Sequence, residues 1–329
     1  MNRNYIDSIP SYPFAWVVTG LIQSDGNFGI SLINVEYGSG LYIRPYLRIE
    51  LHIDSLILLK KVQSYFGCGR LNLRKDRKIC RYEITSINEL WHVLIPHFLN
   101  YPLFGFKHIA FIRFVQSLSL LYPYVNKKNK KSSLLLGKVL FLMSIFNPIN
   151  SRNTSEIEKY QKKLEIDNDN REEIIKSINT EFNNSNFLLY SNYFSQINLF
   201  NINIFFILGI IEGDGSFYFG LRKDKNLRFG FNITTHILEL DLMYAIKFRL
   251  NCGNVKIKSK TWCRYEVEGN KMLRNIFIPL VESFGLSGAK SLKYLKFKEA
   301  MSIYITKEDK TEKGFNRILV LIDQNKKYD

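Results

Sequence analysis

Alanine is nearly missing from this chain, with 5 residues in 329, while phenylalanine supplies 25 and tyrosine 19. Ile, Asn and Lys crowd the rest, as AT-rich codons would produce, so the bias points to an organelle gene and weakens any argument from the abundance of Lys and Asn. Cysteine is scarce too. Cys68, Cys80, Cys252 and Cys263 form no CxxC pair and sit near no His cluster of zinc spacing. That argues against a zinc module and favours small buried strand residues in a reducing compartment. No apolar run is long enough to span a bilayer; the longest, residues 202–211, runs straight into Glu212, which speaks against a membrane-embedded chain. No Arg-rich, acid-poor leader opens the sequence, as expected for a gene carried by the organelle itself: a mitochondrion, with a plastid as the alternative. Acids are outnumbered, 30 against 46 basic residues, for a net charge of +16 and a pI of about 9.5. A polyanionic partner is expected.

What the chain does have is one unusual phrase written twice. Residues 16–30 read WVVTGLIQSDGNFGI and residues 206–220 read FILGIIEGDGSFYFG. Each is a short apolar helix ending in Asp-Gly-polar-Phe, with small residues four apart: Gly20 and Ser24 in the first, Gly209 and Gly213 in the second. Small residues at that spacing share one helical face and let two backbones approach closely. If the segments pack together, Asp25 and Asp214 emerge side by side at one end of the pair, where a divalent cation could bind between them. The plainer alternative is two buried helices with exposed ends.

The likeness between halves continues beyond the motif. Arg81-Tyr82-Glu83 recurs as Arg264-Tyr265-Glu266, Cys80 as Cys263, Cys68-Gly69 as Cys252-Gly253 and Lys107 as Lys290. About six residues are lost between the motif and the second strand of the later copy, and the loop around residues 36–40 is expected to account for them. Tyr42, Arg44, Tyr46, Arg48 and Glu50 alternate with Ile43, Pro45, Leu47, Ile49 and Leu51, the pattern of a half-buried strand. A helix is expected over 54–66, stopped by Gly67. Arg70, Asn72 and Arg74, then Arg81, Glu83 and Thr85, oppose Leu71, Leu73, Tyr82 and Ile84. In the second copy Asn226, Arg228, Gly230, Asn232 and Thr234 alternate with Leu227, Phe229, Phe231 and Ile233. Asn254, Lys256 and Lys258 alternate with Val255 and Ile257, and Arg264, Glu266 and Glu268 complete the set. These patterns predict an α+β fold, a pseudo-twofold tandem repeat of αββαββα units, each with a four-stranded antiparallel sheet packed on helices through one face. The expected divisions are an N-terminal arm at 1–13, a first domain at 14–146, a linker at 147–203 and a second domain at 204–329.

The paired motifs, Val18-Thr-Gly-Leu-Ile-Gln-Ser-Asp-Gly26 and Ile207-Leu-Gly-Ile-Ile-Glu-Gly-Asp-Gly215, resemble those of LAGLIDADG homing endonucleases. The resemblance looks closest to the single-chain, two-motif branch encoded in fungal mitochondrial introns, and covers nearly everything but the linker and the first dozen residues. It implies a monomeric, site-specific double-strand DNA endonuclease whose two sheets form a DNA-binding saddle. It also implies that Asp25 and Asp214 hold the metal, with the backbone carbonyls of Ser24 and Gly213 nearby, and that Lys107 and Lys290 stand beside the reacting phosphate. Mg²⁺ suits such hard oxygen ligands; Mn²⁺ is expected to substitute, and Ca²⁺ to support binding without efficient cleavage. Gln23 and Glu212, at the sixth motif position, read as support or interface residues, and His52 and His236 as strand-end caps or water-network partners. Nothing supports a Ser or Cys nucleophile.

A strand advances about 3.3 Å per residue and B-DNA about 3.4 Å per base pair, so two sheets of ten-residue strands would cover roughly twenty base pairs. The outward residues named above, with Arg222 and Lys225, supply Arg for guanine, Asn for adenine and Glu for cytosine. They differ between the halves, so the target is expected to be asymmetric. Lys127, Lys128, Lys130 and Lys131 read either as a phosphate contact or as a solvated loop. Two further functions compete: an intron RNA maturase on the same scaffold, alone or as a second activity with host intron RNA as partner, and a catalytically silent DNA-binding protein. Retention of both motif Asp argues against the silent version.

Overall fold

Two helix-and-sheet units, each closed around its own apolar core, meet along the opening helix of each. The computed structural model describes residues 11–34, 41–125, 202–223 and 226–326, with 135, 137–140, 142 and 176. In the first unit α1 (Ser11–Asp25) runs directly into β1 (Gly26–Asn34), which turns back as β2 (Leu41–His52). A single 3-10 turn leads to α2 (Leu56–Phe66), then β3 (Arg70–Arg74) and β4 (Ile79–Ile84). The helical stretch α3 changes from α turns at Ile87–Glu89 through a π segment at Leu90–Leu94 to Ile95–Asn100, and α4 (Gly105–Leu121) follows.

The second unit repeats the order. It comprises α5 (Ile204–Asp214), β5 (Gly215–Leu221), β6 (Leu227–His236), a 3-10 turn (Ile237–Glu239) and α6 (Leu240–Leu250). Then come β7 (Asn254–Ile257), β8 (Trp262–Glu268), the mixed helix α7 (Asn270–Met272 through Ile278–Phe284), α8 (Ala289–Ile305) and α9 (Glu312–Lys326). Both sheets are antiparallel with the same strand order, β1-β2-β4-β3 and β5-β6-β8-β7.

The expected α+β repeat therefore stands, and period-2 alternation assigned the faces. Ile43, Leu47, Ile49, Tyr82 and Ile84 are buried in the first core, and Phe229, Phe231, Ile233, Tyr265 and Val267 in the second. Gly67 ends α2 in the left-handed conformation, φ 66°, with its N–H donating to the Gln63 carbonyl at 2.9 Å, the position glycine favours. His52 and His236 are N-caps, each accepting through Nδ1 from the backbone N–H two residues on, at 3.4 and 3.3 Å. All four cysteines are free; Cys80, Cys252 and Cys263 are buried and Cys68 half-buried. Cys80 and Cys263 lie in strands, whereas Cys68 and Cys252 sit in the turns before β3 and β7.

Several expectations need correcting. Leu73 and Ile257, read as inward, are 46% and 63% exposed, because β3 and β7 are edge strands. Thr85, Asn226 and Lys258 flank β4, β6 and β7 rather than belonging to them. The residues lost from the second copy do not come from the loop alone: β1 and β2 form nine cross-strand pairs, β5 and β6 only seven. A hairpin can drop two rungs because the remaining side chains keep their faces. Helix α1 begins at Ser11, inside the stretch read as an arm. Ile202 is buried in the second core and the Asn203 side chain caps α5 by accepting from Phe205 N at 2.9 Å, so both belong to the second unit rather than to the linker. The rest of 147–203 apart from residue 176, the lysines at 127, 128, 130 and 131, and Lys225 lie outside the described residues.

Candidate active site and nucleic-acid interface

The site starts with glycine. A Cβ on Gly20 would land on the Phe206 carbonyl oxygen and lie 3.0 Å from Gly209 Cα, while one on Gly209 would strike the Val17 carbonyl and sit 2.8 Å from Gly20 Cα. Helices α1 and α5 thus touch backbone to backbone. Just past them, a Cβ on Gly26 or Gly215 would lie 2.5 Å from the carbonyl oxygen of Ile22 or Ile211. Only glycine lets the chain leave the helix and enter the strand this tightly. Each Asp is the last residue of its helix, held between these two requirements.

Asp25 and Asp214 come out adjacent to Gly213, where any Cβ would collide with Ser24 Oγ and Asp25 Oδ2. Burial, followed by the Asp214 charge, pushes the Asp25 carboxyl up to about 7, against the pull of Lys290 and Lys107. Burial raises Asp214 as well, with the same two lysines opposing. Asp25 Oδ2 is buried without a hydrogen-bond partner, an arrangement that costs free energy unless something positive occupies the space. Among the described residues no group of three or more His, Cys, Asp and Glu is assembled, so a cation here would draw on the two carboxylates and neighbouring carbonyls. That donor set suits a hard divalent ion that keeps waters and takes phosphate oxygens.

Both expected lysines reach this centre. Lys107 Nζ donates to the Gly26 carbonyl at 2.6 Å, one residue beyond Asp25. Burial lowers its pKa, opposed by Glu239, Asp214 and Asp25. Lys290 is lowered by burial and by Lys293, opposed by Asp25, Asp214 and Glu212. Lys290, Lys293 and Asp25 line one cleft of about 1000 Å³ that also includes Glu50, His52 and Lys78.

The outward faces of the sheets carry the polar side chains expected there, but many of these are paired with one another. Arg48 donates to Glu83 Oε1 from Nε at 3.0 Å and from its terminal nitrogen at 2.6 Å, and its guanidinium lies 4.3 Å from the centre of the Tyr46 ring. Arg81 pairs with Glu50, Arg228 with Glu268, and Lys256 with Glu266, which Lys258 approaches at 3.6 Å. Glu266 is correspondingly buried, 6% exposed, rather than offered outward. Arg264 donates to Thr234 Oγ1 at 2.9 Å, and Thr234 to Asn232 at 3.4 Å. Arg70, Asn72, Arg74, Asn254 and Arg222 are exposed, whereas Arg44 Nε is buried without a partner. The backbone of Tyr42 pairs with Ile33 in the first hairpin.

Sequence reasoning missed the outward residues of β1 and β5, although the alternation Asn27-Phe28-Gly29-Ile30-Ser31 and Ser216-Phe217-Tyr218-Phe219 carries the signal. Tyr218 donates to Glu268 at 2.9 Å and lies over Gly230 on β6. In the first sheet the pair is exchanged, with Tyr46 on β2 lying over Gly29 on β1.

The family model described as LAGLIDADG endonuclease matches residues 18–118 and 207–301. A Neurospora crassa protein named "Probable intron-encoded endonuclease 2" is 25% identical over 308 residues, 92% of this chain and 63% of that protein. A Mycosarcoma maydis protein named "Probable intron-encoded DNA endonuclease 1" is 24% identical over 257 residues, 77% of this chain and 86% of that protein. The chain spans 54% to 63% of the length of two such Neurospora relatives. Among solved structures, the I-LtrWI LAGLIDADG homing endonuclease bound to target DNA superposes with a TM-score of 0.74 at 22% identity, covering 95% of this chain and 98% of that one. I-SmaMI bound to uncleaved DNA target in the presence of calcium ions gives 0.71 at 22% identity, covering 94% and 97%. These likenesses establish the shared fold, and the matched spans take in both motifs together with the strands and lysine-bearing helices that follow them: the chain belongs to the LAGLIDADG endonuclease family.

Proposed function

We propose that this protein is a homing endonuclease that cuts both strands of a long, asymmetric DNA site by metal-assisted phosphodiester hydrolysis, acting as a monomer. The observation that carries this reading is the junction of α1 and α5, where two half-buried carboxylates, one with a buried orphaned oxygen, meet two lysines between two sheets of alternating polar side chains. Asp25 and Asp214, with the carbonyls of Ser24 and Gly213, would hold a divalent ion, Mg²⁺ by preference. When bound, the ion supplies an activated water and neutralises charge on the phosphate. Lys107 and Lys290 place cationic charge beside the carboxylates, where it stabilises the transition-state phosphate. The sheets hold the duplex; differences such as Tyr46 in β2 against Gly230 in β6 make the two half-sites unlike. The fungal relatives are named for intron-encoded endonucleases, which supports an intron gene and favours DNA cutting over the RNA-splicing alternative.

The direct test incubates the protein and its Asp25→Asn and Asp214→Asn variants with Mg²⁺ and a plasmid library of intron-insertion sites. Both variants are expected to bind the selected site and to leave it uncut. Double-strand cleavage by either variant at the parent's rate would refute the assignment of the carboxylates. A selected site that is a perfect palindrome, or a rate rising with the square of protein concentration, would refute the asymmetric monomer.

A further inference from the structure

The two lysine-bearing helices start in the same unusual way. Neither α4 nor α8 is capped by its own first residues, since Phe104 and Gly288 give no side-chain cap. Their free N–H groups are taken instead by side chains from far away in the sequence. At α4, Gln23 of the first motif accepts from Phe104 N at 3.0 Å, and Glu239, in the 3-10 turn of the other unit, accepts from Lys107 N at 3.2 Å. At α8, Glu212 of the second motif accepts from Ser287 N and from Gly288 N at 3.1 Å, and Ser55, in the 3-10 turn of the other unit, accepts from Ala289 N at 2.9 Å.

These four residues are two pairs of repeat equivalents. Gln23 and Glu212 share the sixth motif position, and Ser55 and Glu239 both end the 3-10 turn after the second strand. Each helix start therefore has one motif clamp and one clamp from the opposite unit, and each has a single carboxylate. The carboxylate has changed places, opposite at α4 and in the motif at α8. Room for it is made by a glycine at the same point in both: a Cβ on Gly105 would land on the Glu239 carboxylate, and one on Gly288 would lie 2.9 Å from Glu212 Oε2. A helix N-terminus carries about half a positive charge. One buried acid there satisfies the free N–H groups; two would repel, and none would leave donors unpaired.

We infer that Glu239 with Gln23, and Glu212 with Ser55, are positioning residues that fix Lys107 and Lys290 at the centre, so that each unit's lysine is set partly by the other unit. This rests on the endonuclease reading above for its kinetic consequence but not for its structural one. The Gln23 Nε2 amide ties the first pair together, donating to the Phe104 carbonyl at 3.1 Å and reaching Glu239 at 3.5 Å. The equivalence also prescribes a rescue. Glu239→Ser removes the acid from α4, and adding Gln23→Glu restores it in the arrangement that α8 already uses.

The test measures amide hydrogen exchange at residues 104–107 and, on the selected DNA site, the cutting rate of each strand separately. Glu239→Ser is expected to speed exchange at Phe106 and Lys107 and to slow one strand's cutting by about tenfold or more, so that nicked DNA accumulates. Site affinity in Ca²⁺ should stay within about twofold, and Gln23→Glu/Glu239→Ser should restore both readouts. Unchanged exchange in Glu239→Ser, or a double variant no better than the single, would overturn the inference. The exchange readout needs no catalysis. A parent protein that cuts no DNA would sink the endonuclease reading while the exchange experiment still decides the clamp.

Discussion

Substituting one methyl group at the helix contact should damage both stability and catalysis. In Gly20→Ala the new Cβ would overlap the Phe206 carbonyl oxygen and lie 3.0 Å from Gly209 Cα. Both obstacles are backbone, so no side-chain rotation relieves them, and α1 and α5 must separate. Relief of such overpacking costs about 1–3 kcal/mol or more, while the better helix propensity of Ala returns about 1 kcal/mol. The net expectation is about 1–2 kcal/mol of destabilisation, seen in urea melts as a lower midpoint at unchanged slope. Gly220→Ala, whose Cβ meets nothing within 4 Å, is the control and should stay within about 0.5 kcal/mol of the parent. Asp25 and Asp214 sit at the ends of these same helices, so a displacement near 1 Å should also cost about a hundredfold in cutting rate. Gly20→Ala melting with the parent and cutting at its rate would show that the helices do not depend on the glycine contact.

Arg48→Ala should lower discrimination by about 1–3 kcal/mol at one or two positions of a single half-site, on top of a sequence-independent loss from the unpaired Glu83 carboxylate, read by selection from a randomised library; weakening with no change of preference at any position would make Arg48 a phosphate anchor instead. Replacing Mg²⁺ by Ca²⁺ should preserve binding in a gel-shift assay and abolish product formation, and equal turnover in both ions would point to another mechanism. His97, whose Nε2 lies 3.0 Å from Thr19 Oγ1 and whose Nδ1 lies 3.0 Å from the Tyr65 hydroxyl, is pushed by burial from 6.5 to about 3. Because the unfolded chain protonates first, its contribution is complete above pH 6.5 and is lost as pH falls, about 2 kcal/mol by pH 5. The stability difference between parent and His97→Gln should therefore shrink from pH 7 to pH 5 in urea titrations, and a constant difference would refute the buried neutral imidazole.

The sheets were legible because a strand records its two faces in every second residue, and the helix pair because small residues four apart have few other uses in so bulky a chain. Lys107 and Lys290 came through repetition and family likeness, since a lone Lys carries no local signal. What stayed hidden lies between elements remote in sequence. Glu239 reads as an ordinary acid following a strand, and only the fold brings it to an amide on Lys107. Ion pairing was also invisible: alternation placed Arg48 and Glu83 on one face, but it is the pairing of β2 with β4 that sets them opposite each other.

That cross-strand arrangement makes the pair, rather than the single side chain, the letter in which this surface is written. On the endonuclease reading, exchanging Arg48 alone would leave the Glu83 carboxylate unpaired on a face that meets a polyanion, a penalty felt at every sequence and not only at the base being reprogrammed. Retargeting the first half-site therefore calls for libraries that vary positions 48 and 83 together, and likewise 50 with 81; the second half-site calls for 228 with 268. Natural drift toward a new insertion site would have to move through the same coupled steps, with charge changes at partner positions arriving as matched sets.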